Sequence, residues 1–138
     1  MSAHLREKHE KIQQTLTQLA EESAKGTLIV VEGKKDLQAL RELNIGGSIF
    51  TLKTGGKSFT DAVTEIERTG ALEVILLLDF DRRGKLGTKR LKTCLEHVKI
   101  TPNLKFWRTI FGVVGRELQC VEGLPSYIHT LAQKANCL

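Results

Sequence analysis

Two short runs in this 138-residue chain place carboxylates where apolar segments stop. Glu32-Gly33-Lys34-Lys35-Asp36 follows Thr27-Leu28-Ile29-Val30-Val31, and Asp79-Phe80-Asp81-Arg82-Arg83-Gly84 follows Val74-Ile75-Leu76-Leu77-Leu78. Continuous apolar runs of this kind are what the strands of a parallel sheet covered on both faces require. Ligands of such sheets sit at the carboxyl ends of the strands. If both strands are central and parallel, Glu32, Asp79 and Asp81 converge at one edge. Read as a continuation of the strand, Asp79 and Asp81 point the same way, about 6 to 7 Å apart. Three carboxylates that close repel one another unless a cation neutralises them, so the spacing suggests a divalent-metal site.

The elements that must hold these loops alternate along the chain. Leu5, Ile12, Leu16 and Leu19 recur at helical spacing on a polar background, and residues 3 to 24 read as an amphipathic helix stopped by Lys25-Gly26. Its apolar stripe either packs on the sheet or meets a partner or a second copy. Strand Thr27 to Val31 leads to a helix from Lys35 to Leu43 with Leu37, Leu40 and Leu43 inward. A second strand, Ser48 to Leu52, precedes a helix marked by Ala62, Val63 and Ile66. After the third strand, Val74 to Leu78, a helix runs from Gly84 to Val98 with Leu86, Leu91 and Leu95 inward. Phe106 to Val114, with the only Trp, reads as a further strand or strand pair. Glu122 either lies near the acidic edge or caps the last helix, which Pro125 begins and which contains Leu131.

This alternation predicts an α/β layer sandwich with a mostly parallel sheet of four to five strands. Residues 1–25 form an N-terminal helical extension and 26–138 the domain. Lys53-Thr54-Gly55-Gly56-Lys57-Ser58 is a glycine-rich loop between strand and helix, able to present backbone N–H groups to a phosphate or to serve as an ordinary turn. It is not a P-loop, because Thr51 stands where that motif needs its first glycine.

The formal net charge is +5, and its placement is more informative than its size. From Arg82 to Arg108 the chain carries Arg82, Arg83, Lys85, Lys89, Arg90, Lys92, Lys99, Lys105 and Arg108 against a single acid, Glu96. A basic segment that starts at an acidic centre suits a phosphodiester partner: the cations neutralise the backbone while a metal polarises one phosphate. The alternative is a solvated helix face. Cys94, Cys120 and Cys137 are odd in number and widely spaced, which argues against a disulfide framework or a zinc site. His4, His9, His97 and His129 fit no metal-ligand spacing. No stretch approaches the roughly 18 apolar residues of a membrane span, and the charged N-terminus lacks a signal core. A cytoplasmic protein without a membrane partner is expected.

At these residues the chain resembles the Toprim family, shared by type IA and type II topoisomerases, bacterial-type primases, overcoming-lysogenization nucleases, recombination-repair proteins and a ribonuclease that matures small ribosomal RNA. The resemblance runs from Gly26 to Leu138 and rests on a strand ending in Glu-Gly with an Asp three residues on, then a second strand ending in Asp-x-Asp. Where some members carry a third Asp, this chain has Arg83. The resemblance implies a three-layer sandwich and Mg²⁺ (or Mn²⁺) held by Asp79 and Asp81, with Glu32 directly or through water. It also implies a general acid or base role for Glu32. Lys34, Lys35, Lys57, Arg82, Arg83, Lys85, Lys89 and Arg90 are the candidate nucleic-acid contacts. Gly33, Asp36, Gly55, Gly56 and Gly84 are expected to shape or orient the loops, with Asp36 capping the helix that starts beside it.

A topoisomerase needs a nucleophilic Tyr in a separate domain and a gate around DNA, and this chain has only Tyr127. A complete primase needs a template-holding apparatus for which 138 residues leave no room. Nuclease or RNA-maturation chemistry needs metal, carboxylates and a basic groove, and that is the first expectation. The second is a non-catalytic RNA- or DNA-binding module within a processing or repair complex.

Overall fold

β1 (Leu28–Val31) is buried along its whole length, as a central strand of an α/β sheet must be. It pairs in parallel with β2 (Ile49–Thr51) on one side and with β3 (Glu73–Leu76) on the other. β4 (Thr101–Asn103) adds to β3, again in parallel. The sheet thus has four strands in the order β2-β1-β3-β4. The computed structural model that shows this describes residues 2–53 and 58–136. Gly55, Gly56 and Lys57 of the expected glycine-rich loop, and Cys137, lie outside the described residues.

Helices cover both faces. Side chains alternate along β1: Ile29 and Val31 enter one apolar layer, Leu28 and Val30 the other. The first layer is closed by α1 (Ser2–Ala24), α2 (Lys34–Glu42), α5 (Lys105–Val114) and α6 (Leu124–Asn136). The second is closed by α3 (Phe59–Arg68) and α4 (Arg82–His97). Each fully buried Ile or Leu in these layers contributes about 1.5–3 kcal/mol of transfer free energy. The stripe Ile12, Leu16 and Leu19 is buried in the first layer, where α1 packs against α5 and α6. Its apolar face is therefore covered within the chain.

Three sequence expectations need correction. Phe106 to Val114 is not a strand but α5: its buried residues, Phe106, Ile110 and Val114, recur every four positions, and that helical period outweighs the strand propensity of the aromatics and valines. The short edge strand β4 was not anticipated, because Pro102 lies in its middle, and proline is tolerated only where the missing N–H faces no partner. Leu86 does not point inward but is 56% exposed. It lies outside the buried positions of α4, Gly84, Thr88, Leu91 and Leu95, at the margin of the second layer.

The chain order fixes where a ligand can sit. The connection through α2 carries β1 outward to β2 over one face, and the return through α3 carries the chain to β3 on the other side of β1 over the opposite face. The carboxyl ends of β1 and β3 therefore open a crevice between diverging connections, the switch point at which α/β sheets bind ligands. Glu32 and Asp79 stand at that crevice.

Candidate metal and nucleic-acid site

β1 ends at Val31, and the pairing continues for one more step, with the Lys53 N–H donating to the Glu32 carbonyl at 2.9 Å. The Glu32 carboxylate turns across the sheet end: its Oε2 accepts the Asp79 N–H at 3.0 Å, and its Oε1 lies 3.7 Å from Lys53 Nζ. The next residue, Gly33, caps α2 in an extended conformation, and its N–H donates to Asp36 Oδ2 at 3.0 Å. Asp36 thus orients the turn, as its place at the start of a helix suggested. Burial pushes its carboxyl up from the ordinary range, and the nearby Glu32 charge adds to this.

The second acidic turn lies past the end of β3. Asp79 is half-buried; its Oδ1 accepts the Val121 N–H at 3.1 Å, and its backbone N–H is the one that donates to the Glu32 carboxylate. Burial, together with the Glu32 carboxylate, pushes Asp79 up to about 7, the Val121 N–H opposing. Phe80 points away into the first apolar layer, where it meets Trp107 and Phe111. Asp81 caps α4, its Oδ1 accepting the Gly84 N–H at 2.7 Å. A Cβ on Gly84 would stand 2.1 Å from the Asp79 carbonyl oxygen, so only glycine lets α4 start this close to the acidic turn.

The structure therefore brings Glu32 and Asp79 together and gives Asp81 a local task at the helix N-terminus. Among the described residues no three His, Cys, Asp or Glu side chains form a metal-holding group as they stand. The donor set still suits a hard divalent cation: two carboxylates share a crevice, and the Asp36 and Glu32 charges each raise the Asp79 carboxyl further. A divalent ion there would favour the ionised Asp79 carboxylate, which burial first and the Glu32 and Asp36 charges after it disfavour.

Lys34 and Lys35 are exposed in the first turn of α2, and Arg82 and Arg83 in the first turn of α4. The remaining α4 cations diverge. Lys85 Nζ lies 4.5 Å from the Phe111 ring centroid, whereas the Arg90 guanidinium lies 5.1 Å from that of Phe59, on the other face. Lys89 is exposed. Glu122 stands in a 3-10 turn, Val121–Gly123, that leads into α6. Its negative charge reaches Asp36 and Cys120, so it lies near the acidic crevice as well as beside the helix start.

Sequence reasoning missed three supports of the site. Trp107 Nε1 donates to the Leu78 carbonyl at 2.8 Å and fixes the end of the third apolar run. The Phe80 N–H donates to the Gln119 carbonyl at 2.7 Å, which, with the Val121 bond, ties the C-terminal segment to the acidic turn. Lys53 pairs with Glu32. All are contacts between distant parts of the chain, for which a single sequence carries no local signal.

Residues 26–103 match the profile of the Toprim domain, and the chain belongs to the Toprim family. Membership points to metal-dependent, nucleic-acid-related chemistry. Among its relatives are the UPF0292 proteins: one from Methanosarcina acetivorans is 34% identical over 94% of this chain and 88% of its own length. Another, from Methanocaldococcus jannaschii, is 36% identical over 73% of this chain and 77% of its own. A solved structure of a protein from Aquifex aeolicus superposes with a TM-score of 0.65 at 26% identity, covering 79% of this chain and 94% of that one. Among the described residues no helix is long and apolar enough to cross a membrane.

Proposed function

We propose that this protein cleaves phosphodiester bonds in nucleic acid, as a nuclease or in RNA maturation, with Mg²⁺ or Mn²⁺ at the acidic crevice. The observation that carries this reading is the pair Glu32 and Asp79, hydrogen-bonded at the switch point, with Asp79 raised to about 7. Glu32 and Asp79 would hold the ion, and Asp81 adds a third carboxylate on the same turn. When bound, the cation supplies charge neutralisation and polarises one phosphate. Glu32 also stands where it can accept or return a proton beside the reacting phosphate. Lys34, Lys35, Arg82 and Arg83 flank the crevice from two helix starts and bind the phosphates on either side. Lys53, now on Glu32, is 61% exposed and able to swing to a phosphate when a metal takes its place.

A non-catalytic binding module is the second reading, and one observation favours it: the Asp81 carboxylate caps α4, so the described residues form no ready three-carboxylate set. Incubating the protein with labelled RNA and DNA, with Mg²⁺, with Mn²⁺ and with a chelator, separates the two. Catalysis predicts product that needs metal and is lost in Glu32→Gln with binding retained. Absence of product from both nucleic acids under either metal would refute the cleavage reading.

A further inference from the structure

Beside the acidic crevice, on the face of the sheet covered by α3 and α4, lies a groove of about 660 Å³. Its floor is Leu52 and Leu78, its walls are Phe59 and Leu86, and Glu32 stands at one end. Arg83 and Arg90 project from α4 at its rim. The volume lies within the roughly 300–1,000 Å³ of sites for small ligands. The groove joins an apolar floor and walls to a polar margin that includes Lys53 and Ser58, and one of its apolar side chains, Leu86, is left 56% exposed. A duplex shows a protein its charged backbone and the edges of its bases but keeps their flat faces stacked inside; a base that has left its stack presents that face. Phe59 offers a half-buried ring and Arg90 a guanidinium 5.1 Å from its centroid, the two kinds of surface on which unstacked bases lie.

We propose that this groove holds one unstacked base of a single-stranded segment, with the attached phosphate directed to Glu32 and Asp79. The proposal rests on the nucleic-acid reading above and narrows its substrate to single strands, or to the unpaired end or loop of a folded one. Gly87 is part of the same design. A Cβ there would lie 3.3 Å from Leu78 Cδ2 and 3.6 Å from Phe59 Cζ, so any side chain would enter the groove. Glycine in mid-helix is otherwise unfavourable relative to alanine. Without a side chain there, α4 lies close over Leu78 and Phe59, and Arg83 and Arg90, four residues before Gly87 and three after, bracket the opening on one face of α4.

Binding is measured by fluorescence anisotropy at one salt concentration, with chelator present, on a labelled single-stranded octanucleotide, the same strand with abasic sites, and its duplex. The groove predicts that the natural strand binds about 5- to 160-fold more tightly than the abasic strand, the range given by stacking one base. It also predicts that Phe59→Leu, which keeps an apolar side chain in the wall, removes that advantage while affinity for the duplex is unchanged. A thermal melt of the variant checks its fold, and the abasic comparison needs no variant. Equal affinity for natural and abasic strands in the unmodified protein overturns the proposal, as does tighter binding of the duplex. These results are independent of cleavage: product without base dependence sinks the groove alone, and base dependence without product sinks only the catalytic reading.

Discussion

The two acidic turns are built alike and supported differently. In each, one carboxylate enters the crevice, Glu32 or Asp79, and another binds a backbone N–H at the start of the following helix, Asp36 to Gly33 or Asp81 to Gly84. The β1 turn is less crowded, although Asp36 also faces the turn at Val121–Gly123. Open space surrounds the position of a Gly33 Cβ, and the pairing of Lys53 with Glu32 comes from the neighbouring strand end. The β3 turn is buttressed on every side: α4 is pressed against the Asp79 backbone, Trp107 holds Leu78, and Gln119 and Val121 hold Phe80 and Asp79. Trp107, Gln119 and Val121 lie beyond residues 26–103, the part that matches the family profile. The acids belong to the shared domain, while the support for the more strongly perturbed one comes from the C-terminal third.

That contrast is broken most sharply by a pair of alanine substitutions. Gly84→Ala places a methyl group inside the Asp79 carbonyl, and since backbone cannot yield like a side chain, the expected loss is about 3 kcal/mol or more in urea unfolding. Gly33→Ala, in open space with φ −149, is expected to stay within about 0.5 kcal/mol of the parent. Equal losses would erase the distinction between the turns.

A pH series sharpens it next. The folded carboxyl of Asp79 is raised to about 7, far above its unfolded value, so the folded state binds the extra proton between those limits. The associated stability is fully present below about pH 4 and is lost as pH rises through about 7. Asp79 is only half-buried, so solvent screening reduces the effect to about 1–2 kcal/mol. With chelator present, Asp79→Asn should flatten the fall in stability between pH 5 and about 8. Asp36, shifted in the same direction, leaves part of the slope in place. A parent protein whose stability rises over that range would contradict the assignment.

The smallest effect concerns the basic residues that follow the β3 turn. Arg82→Ala with Arg83→Ala should reduce the slope of log affinity against log salt by about 0.7–0.9 for each phosphate that is no longer neutralised. Lys34→Ala should produce one such step at the β1 turn. Unchanged slopes would make these residues a solvated face and leave nucleic-acid binding to other surfaces.

Much of this arrangement was legible in the sequence, for physical reasons that differ by element. The apolar runs before Glu32 and Asp79 are long, uninterrupted and bounded by charge, so burial on two faces follows directly from them. The stripe of α1 is equally plain. Phe106 to Val114 misled because local propensity favours a strand, while the deciding fact, a sheet face needing a helical cover, is set by tertiary packing. Asp81 carried a readable signal in its place three residues before Gly84, an N-cap spacing that competes with metal binding for the same oxygens. The anchoring of Asp79 by Val121 and of Leu78 by Trp107 had none, since it depends on how distant segments meet.

The central claim is that a divalent cation belongs between Glu32 and Asp79, and soaking crystals in Mn²⁺ above pH 7 tests it most directly. An anomalous peak is expected beside those two carboxylates, reduced or absent in Asp79→Asn, with Lys53 Nζ withdrawn from Glu32. A peak at other residues with none in this crevice, or Mn²⁺ bound equally well by Asp79→Asn, would contradict it.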